Sequence, residues 1–216
     1  MKTIASRTFL LLAAFFSFLF SCENDKVDYG LGEYYQHFAT VLNDSVFLLD
    51  SGATLYDVNY RANKAREANK RFFLTYSFAD KESAPYDHAI ALHGASEIVL
   101  GELKAVSKAA IDSFPAYPIH LESVWLGSHY LNMQFYFDYI EKTHSIGLLA
   151  DSSCLKADTL HLYFKHDTNR DSPGYPVHLF LSFDLEKVLS RPESRKNLLL
   201  NINTSNYANK TYEFKY

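Results

Sequence analysis

The stretch "YLNMQFYFD", Tyr130–Asp138, alternates without a break. In an extended chain successive side chains point to opposite faces. Leu131, Met133, Phe135 and Phe137 therefore fall on one face, and Tyr130, Asn132, Gln134, Tyr136 and Asp138 on the other. One apolar face and one polar face describe a half-buried antiparallel strand. Around it, "IHLESVWLG", "HSIGLLA", "DTLHLYFKH", "PVHLFLSFDL", "KNLLLNIN" and "KTYEFKY" repeat the strand signal between turn residues. Seven such runs predict an immunoglobulin-like β-sandwich over residues 119–216. "DLEKVLS", after Phe183, adds one helical turn.

Upstream the signal is again strand. "EYYQHFATVLN", "SVFLLD" and "ATLYDV" follow one another across "ND" and "SG" turns. "RFFLTYSFA", "YDHAIALHGA" and "SEIVLGELKAV" continue the pattern. "NKAREANK", Asn63–Lys70, has no wide apolar face and reads as an exposed helical turn or loop. This suits a small five-stranded OB-like barrel over residues 33–106. "SKAAIDSFPAYP", Ser107–Pro118, holds two prolines and little periodicity, so residues 107–118 read as a linker. The expected fold class is all-β, an OB-like barrel followed by a β-sandwich.

The amino terminus sets the expected address. Lys2 and Arg7 precede "FLLLAAFFSFLF", Phe9–Phe20, which carries no charge. That is the size of a signal-peptide apolar region, and a membrane span needs about 20 residues. Leu19, Phe20 and Ser21 before Cys22 place an apolar residue at −3 and a small one at −1. This resembles the bacterial lipobox, in which the cysteine is acylated and the chain is cut just before it. Residues 1–21 are then the signal peptide, Cys22 the lipid attachment point and residues 22–32 a tether. Two or three acyl chains make a lasting anchor, at about 0.8 kcal/mol per buried methylene. Losing Lys2 and Arg7 takes the formal charge from −4 to −6. An acidic chain without a clustered positive footprint argues against a phosphate-binding surface, so no nucleic-acid partner is expected. Cys154 is left as a free thiol, without a disulfide framework.

Catalytic patterns are missing from the sequence: no G-x-S-x-G, no H-E-x-x-H and no phosphate loop. The expectation is a protein that is not an enzyme and takes neither cofactor nor metal. His161 and His166, like His88 and His93, lie five apart in strands and point to opposite faces. They read as surface or cross-strand histidines. "DTNRDSPG", Asp167–Gly174, echoes a calcium loop, but Ser172 stands where glycine is needed and His178 where glutamate is needed. A turn is the simpler reading. Asp87, Glu122 and Asp138 could meet only if the fold brought them together. Tyr130 and Tyr136 share the polar face of their strand and are the candidate recognition surface, since tyrosine joins a large contact area to a polar tip.

Two pairs of motifs resemble the NigD-like lipoproteins: "DYGLGEYYQHFATV" with "LLDSGATLYDV", and "VWLGSHYLNMQFYF" with the closing "NINTSNYANKTYEFKY". The resemblance implies an OB-like barrel and a C-terminal β-sandwich, in agreement with the patterns above. It brings no catalytic residues. It also implies an envelope address, at the outer membrane on the periplasmic or outer face. The expected function is a non-catalytic binding or accessory module whose partner is an envelope protein or a glycan. The alternatives are bacteriocin immunity, after the operon that gave the family its name, and an envelope hydrolase.

Overall fold

The computed structural model describes residues 32–60, 66–155, 157–189, 197–208 and 211–216. The signal segment and Cys22 lie outside the described residues. Residues Tyr34–Tyr216 form one compact unit.

Five strands close a barrel: β1 (Tyr35–Asn43), β2 (Val46–Leu49), β3 (Thr54–Asp57), β4 (Arg71–Phe78) and β5 (His88–Glu97). The order around it is β1-β2-β3-β5-β4, with β3 and β5 parallel and the other pairs antiparallel. Asn43 sets the first hairpin by accepting the Ser45 N–H at 3.1 Å on its own side chain. Gly52, at φ 91°, makes the second turn. Ala39, Val41, Phe47, Leu55, Leu74, Tyr76 and Ile90 fill the barrel. The outward side chains of β1 and β4 include Phe38, Thr40, Arg71 and Phe73, and these meet the second sheet system.

That system contains β6 (Val99–Val106), β7 (His120–Gly127), β8 (Tyr130–Tyr139), β9 (Ser145–Asp151), β10 (Thr159–Asp167), β11 (Tyr175–Asp184), β12 (Asn197–Asn201) and β13 (Thr211–Lys215). Their order is β13-β12-β10-β9-β6-β11-β8-β7. The all-β expectation holds, and the alternation in β8 is as read. Leu131, Met133 and Phe135 are fully buried in the sandwich core with Leu148, Leu162, Phe183 and Leu198. The "DLEKVLS" turn is present as the short helix α2 (Glu186–Leu189), after α1 (Lys108–Ser113) in chain order.

Two segments differ from expectation. "SEIVLGELKAV" falls within the span assigned to the barrel, yet only its start stays there. The Ile98 N–H still donates to the Arg71 carbonyl at 2.9 Å. From Val99 the ladder partners are β11 and then β9. Strand pattern says that a segment pairs, but not with what. The span expected as linker contains α1 (Lys108–Ser113), capped by the Ser107 hydroxyl, which accepts the Ala110 N–H. Ile111 is its buried anchor, one apolar residue being too little to show a helical period.

His88 and His93 are exposed, as read, but His166 departs from the surface reading. His161 and His166 do point to opposite faces, and His166 points into the sandwich, 2% exposed. Its Nδ1 lies 3.3 Å from the Tyr117 carbonyl, which can only accept, so Nδ1 carries the proton. His144 Nδ1 then donates to His166 Nε2 at 2.9 Å. His144 Nε2 stands 3.4 Å from Asp171, close enough to pair but not aligned for a hydrogen bond. The "DTNRDSPG" segment is the β10–β11 connection. Asp171 in it accepts the Ile140 N–H at 2.8 Å and the Glu141 N–H, and the Ile140 bond leads in holding its carboxyl below the usual range.

Burial, ahead of the charge on His144, pushes the His166 pKa below the ordinary 6.5. A histidine depressed in the folded state gives its full stability above the unfolded pKa and loses it as the pH falls below that value. Urea midpoints of the chain are therefore expected to be flat above pH 7 and to fall below about pH 6.5. The slope shrinks in His166→Leu, which is less stable at pH 8 because the Tyr117 carbonyl and His144 Nδ1 lose their partner.

Candidate functional site

Arg71 opens β4 on the outer side of the barrel, and its side chain is fully buried. A guanidinium cannot be discharged at any ordinary pH, so burial demands partners. It has them on both sides. Nη1 and Nη2 bind the two carboxylate oxygens of Asp50 at 2.6 and 3.0 Å. Nη1 also reaches Thr40 Oγ1 at 3.2 Å. Across the junction, Nη2 reaches Asn132 Oδ1 at 3.0 Å, and the Tyr130 ring lies 3.9 Å away. Asn132 returns its amide to Asp50 at 2.8 Å and takes the Ser182 hydroxyl at 2.7 Å. Barrel and sandwich are thus joined by one charge network with the fork geometry that makes Arg–carboxylate pairs strong.

Gly127, at the end of β7, fits against this pair. A Cβ there would stand 2.5 Å from Asp50 Oδ2. The "LLDSG" and "VWLGSHYLN" motifs therefore meet in space: Asp50 and the turn made by Gly52 from one, Gly127, Tyr130 and Asn132 from the other.

Beside the network runs a cleft of about 340 Å³. Its aromatic walls are Phe38, Phe73 and Trp125, and its polar lining includes Gln36, His37, Ser51 and Gln134, with Asp50 below. Phe38 meets Trp125 edge-on at 4.9 Å, and Phe73 stacks on Phe180 at 4.4 Å, which fixes the walls. The volume and the mix of ring faces with a few polar groups are those of a small-ligand site.

The two tyrosines singled out in the sequence have different fates. Both lie on the outer face of β8. The barrel covers Tyr130, which is 7% exposed beneath Arg71, and burial raises its pKa. Tyr136 lies on the part the barrel leaves open, stacked on His120 at 4.2 Å and beside His178 at 4.8 Å. His178 Nδ1 faces Glu122 at 3.2 Å. Asp87 is in the barrel, accepting the Thr54 N–H and hydroxyl at 2.7 Å each, so Asp87 and Glu122 end on different sheets. Cys154 is a free, partly exposed thiol, 3.6 Å from the Ser153 hydroxyl. Among the described residues, His129, Asp184 and Glu186 have donor atoms close enough to share an ion, all within 4.8 Å. Asp184 already accepts the Glu186 N–H at 2.8 Å as the cap of α2, which accounts for its place. Arg71 was not singled out in the sequence, and Asp50 and Trp125 stood there only as members of the two family-like motifs. The one available signal for Arg71 was a charge at the head of the apolar run "RFFLTY".

A barrel and a sandwich locked by a shared ion pair define a two-part all-β protein. Residues 103–216 match the NigD-like C-terminal beta sandwich domain, and the chain belongs to the NigD-like family. Among curated proteins none matches it. It resembles the solved structure of a protein of unknown function from Bacteroides vulgatus (TM-score 0.73, 22% identity, 85% of this chain and 91% of that one). It also resembles a NigD-like immunity protein from Bacteroides caccae (TM-score 0.59, 20% identity, 87% and 98%). A third is a candidate lipoprotein from Bacteroides fragilis (TM-score 0.60, 11% identity, 85% and 96%). At these identities the likeness is one of fold. No helix among the described residues is long and apolar enough to cross a membrane.

The network makes a direct prediction. Arg71→Met strands the Asp50 carboxylate and is expected to cost about 3–5 kcal/mol in urea unfolding. The double variant Arg71→Met/Asp50→Leu recovers most of this, because no lone charge remains. Gly127→Ala displaces Asp50 and costs about 1–3 kcal/mol.

Proposed function

We propose that this chain is an envelope lipoprotein, held by an acylated Cys22 at the outer membrane, whose folded part is a non-catalytic binding module. The observation that carries the binding role is the cleft beside Arg71. Trp125, Phe38 and Phe73 give it apolar ring surface, while the amides of Gln36 and Gln134 each both donate and accept. The C–H faces of a sugar ring pack on aromatic rings and its hydroxyls need such amides, so the lining favours a glycan over an apolar ligand. Tyr136, between His120 and His178, extends the same face. The lipid anchor is supported by the lipobox-like segment and by the candidate lipoprotein of the same fold.

Trp125 is the single tryptophan, so its fluorescence reports on the cleft. Titration with an oligosaccharide panel is expected to shift that emission, and Gln134→Ala is expected to weaken binding about tenfold, the size of one or two lost hydrogen bonds. A panel of glycans and envelope proteins that leaves the emission unchanged overturns the reading. For the anchor, Cys22→Ala is expected to lose acyl label and leave the membrane fraction. A native chain that takes up no label overturns it.

The second reading is bacteriocin immunity, favoured by the B. caccae immunity protein of like fold. Deleting the gene would then sensitise the cell to a related toxin, and unchanged sensitivity removes this reading.

A further inference from the structure

β6 serves two sheets. Val99–Glu102 ladders with Leu181–Asp184 of β11, and Leu103–Val106 with Leu148–Asp151 of β9. Ser145–Gly147 of β9 have no rung to β6, and the sandwich opens there as a seam. Two adjoining cavities, about 470 and 370 Å³, fill the opening and share Gly101, Ile146 and Phe183 as a common wall. The inner cavity is bounded by Leu179, Phe180 and Leu181, with Val99 and Leu100 at its mouth and His144 as its one ionisable lining residue. Val99 is 62% exposed there. The outer cavity runs under Phe114 and Pro115, along Gly147 and Leu149, to Lys165 and Lys104.

Charge tells what this channel takes. Lys165 stands on the outer face of β10, opposite Gly147. Its hydrogen bond is to the Phe114 carbonyl, long at 3.4 Å, and among the described residues no carboxylate pairs with it. Burial lowers its pKa, ahead of the opposing pull of Asp112. Glu102 and Asp167 line the same cavity, but neither reaches Lys165 as an ion pair: Asp112 is paired with Lys108, Asp167 turns to the Asn169 N–H at 2.9 Å, and Glu102 is exposed. A partly desolvated ammonium with no carboxylate in ion-pair reach among the described residues, where a channel walled by Phe114, Pro115, Ile146 and Phe183 begins, is completed by an anion that brings its own apolar chain.

We propose that the seam binds a long aliphatic carboxylate, with its head on Lys165 and Lys104 and its chain running past Gly147, Ile146 and Phe183 into the inner cavity. This site is separate from the cleft at Trp125 and does not depend on it. Gly147 keeps the path clear. A Cβ there would meet nothing within 4 Å, so a larger side chain fits the fold and fills the channel.

Calorimetric titration of the purified chain with dodecanoate, below its micellar concentration, tests this. One saturable site is expected, with no binding of dodecyltrimethylammonium. Gly147→Val abolishes binding at an unchanged thermal midpoint, Lys165→Gln weakens it about tenfold, and Trp125→Ala leaves it intact. Equal binding of the cationic surfactant overturns the proposal. So does undiminished binding by Gly147→Val, or loss of binding in Trp125→Ala, which would move the site to the cleft. If Gly147→Val does not fold, Lys165→Glu decides instead, at a half-exposed position, and retained binding of dodecanoate overturns the proposal.

Discussion

Barrel and sandwich share one guanidinium. Arg71 belongs to the barrel by sequence, but its hydrogen bonds are divided between Asp50 and Thr40 on its own side and Asn132 on the other. Removing a charge from water is costly, and the cost is recovered only when every partner is in place. Docking of the two halves is therefore close to all-or-none. The aromatic contacts of Phe38 with Trp125 and Phe180 add area, but area alone would tolerate sliding. The fork of Arg71 on Asp50, with Asn132 bridging both, sets the register.

This constraint explains what could be read from the sequence and what could not. The period-two pattern of β8 is a local consequence of burying one face, so Leu131, Met133 and Phe135 could be assigned to the core from their spacing. The other face was also placed correctly as a set. Its division was not legible, because the barrel covers Tyr130 and Asn132 and leaves Tyr136 open, and no residue in the strand records how far the barrel extends. Arg71 has the same problem in stronger form. Its partners lie 21 and 61 residues away, and a charged residue heading a strand ordinarily faces water.

β6 shows a second limit. Its apolar pattern announces a strand but carries no information on the neighbour. Pairing first with β11 and then with β9 lets it pass from one sheet of the sandwich to the other, and the opening beside Ser145–Gly147 follows from that passage. Gly147 is a glycine inside a strand, a residue that ordinarily weakens one. In the fold it is the open floor of a channel, opposite a lysine. His166 was legible as a histidine in a strand, but its buried hydrogen-bonded partner was not, because His144 precedes β9 and is brought to His166 only by the fold.

The motifs that carry the resemblance read in the sequence are parts that hold this fold together. Asp50 anchors Arg71, Gly52 makes the turn that presents it, Gly127 leaves room for its carboxylate, and Tyr130 and Asn132 close the network from the sandwich. Residues so engaged cannot change singly without stranding a buried charge or forcing a clash. Likeness in them therefore carries architecture from one chain to another and says little about ligand. The groups free to choose a ligand are their neighbours: Gln36, His37 and Gln134 in the cleft, and Lys104, Gly147 and Lys165 at the seam. These can vary while the rivet stays. A shared fold at 20% identity with an immunity protein is thus compatible with a different partner here, and the chemistry of the two openings is the better guide to it.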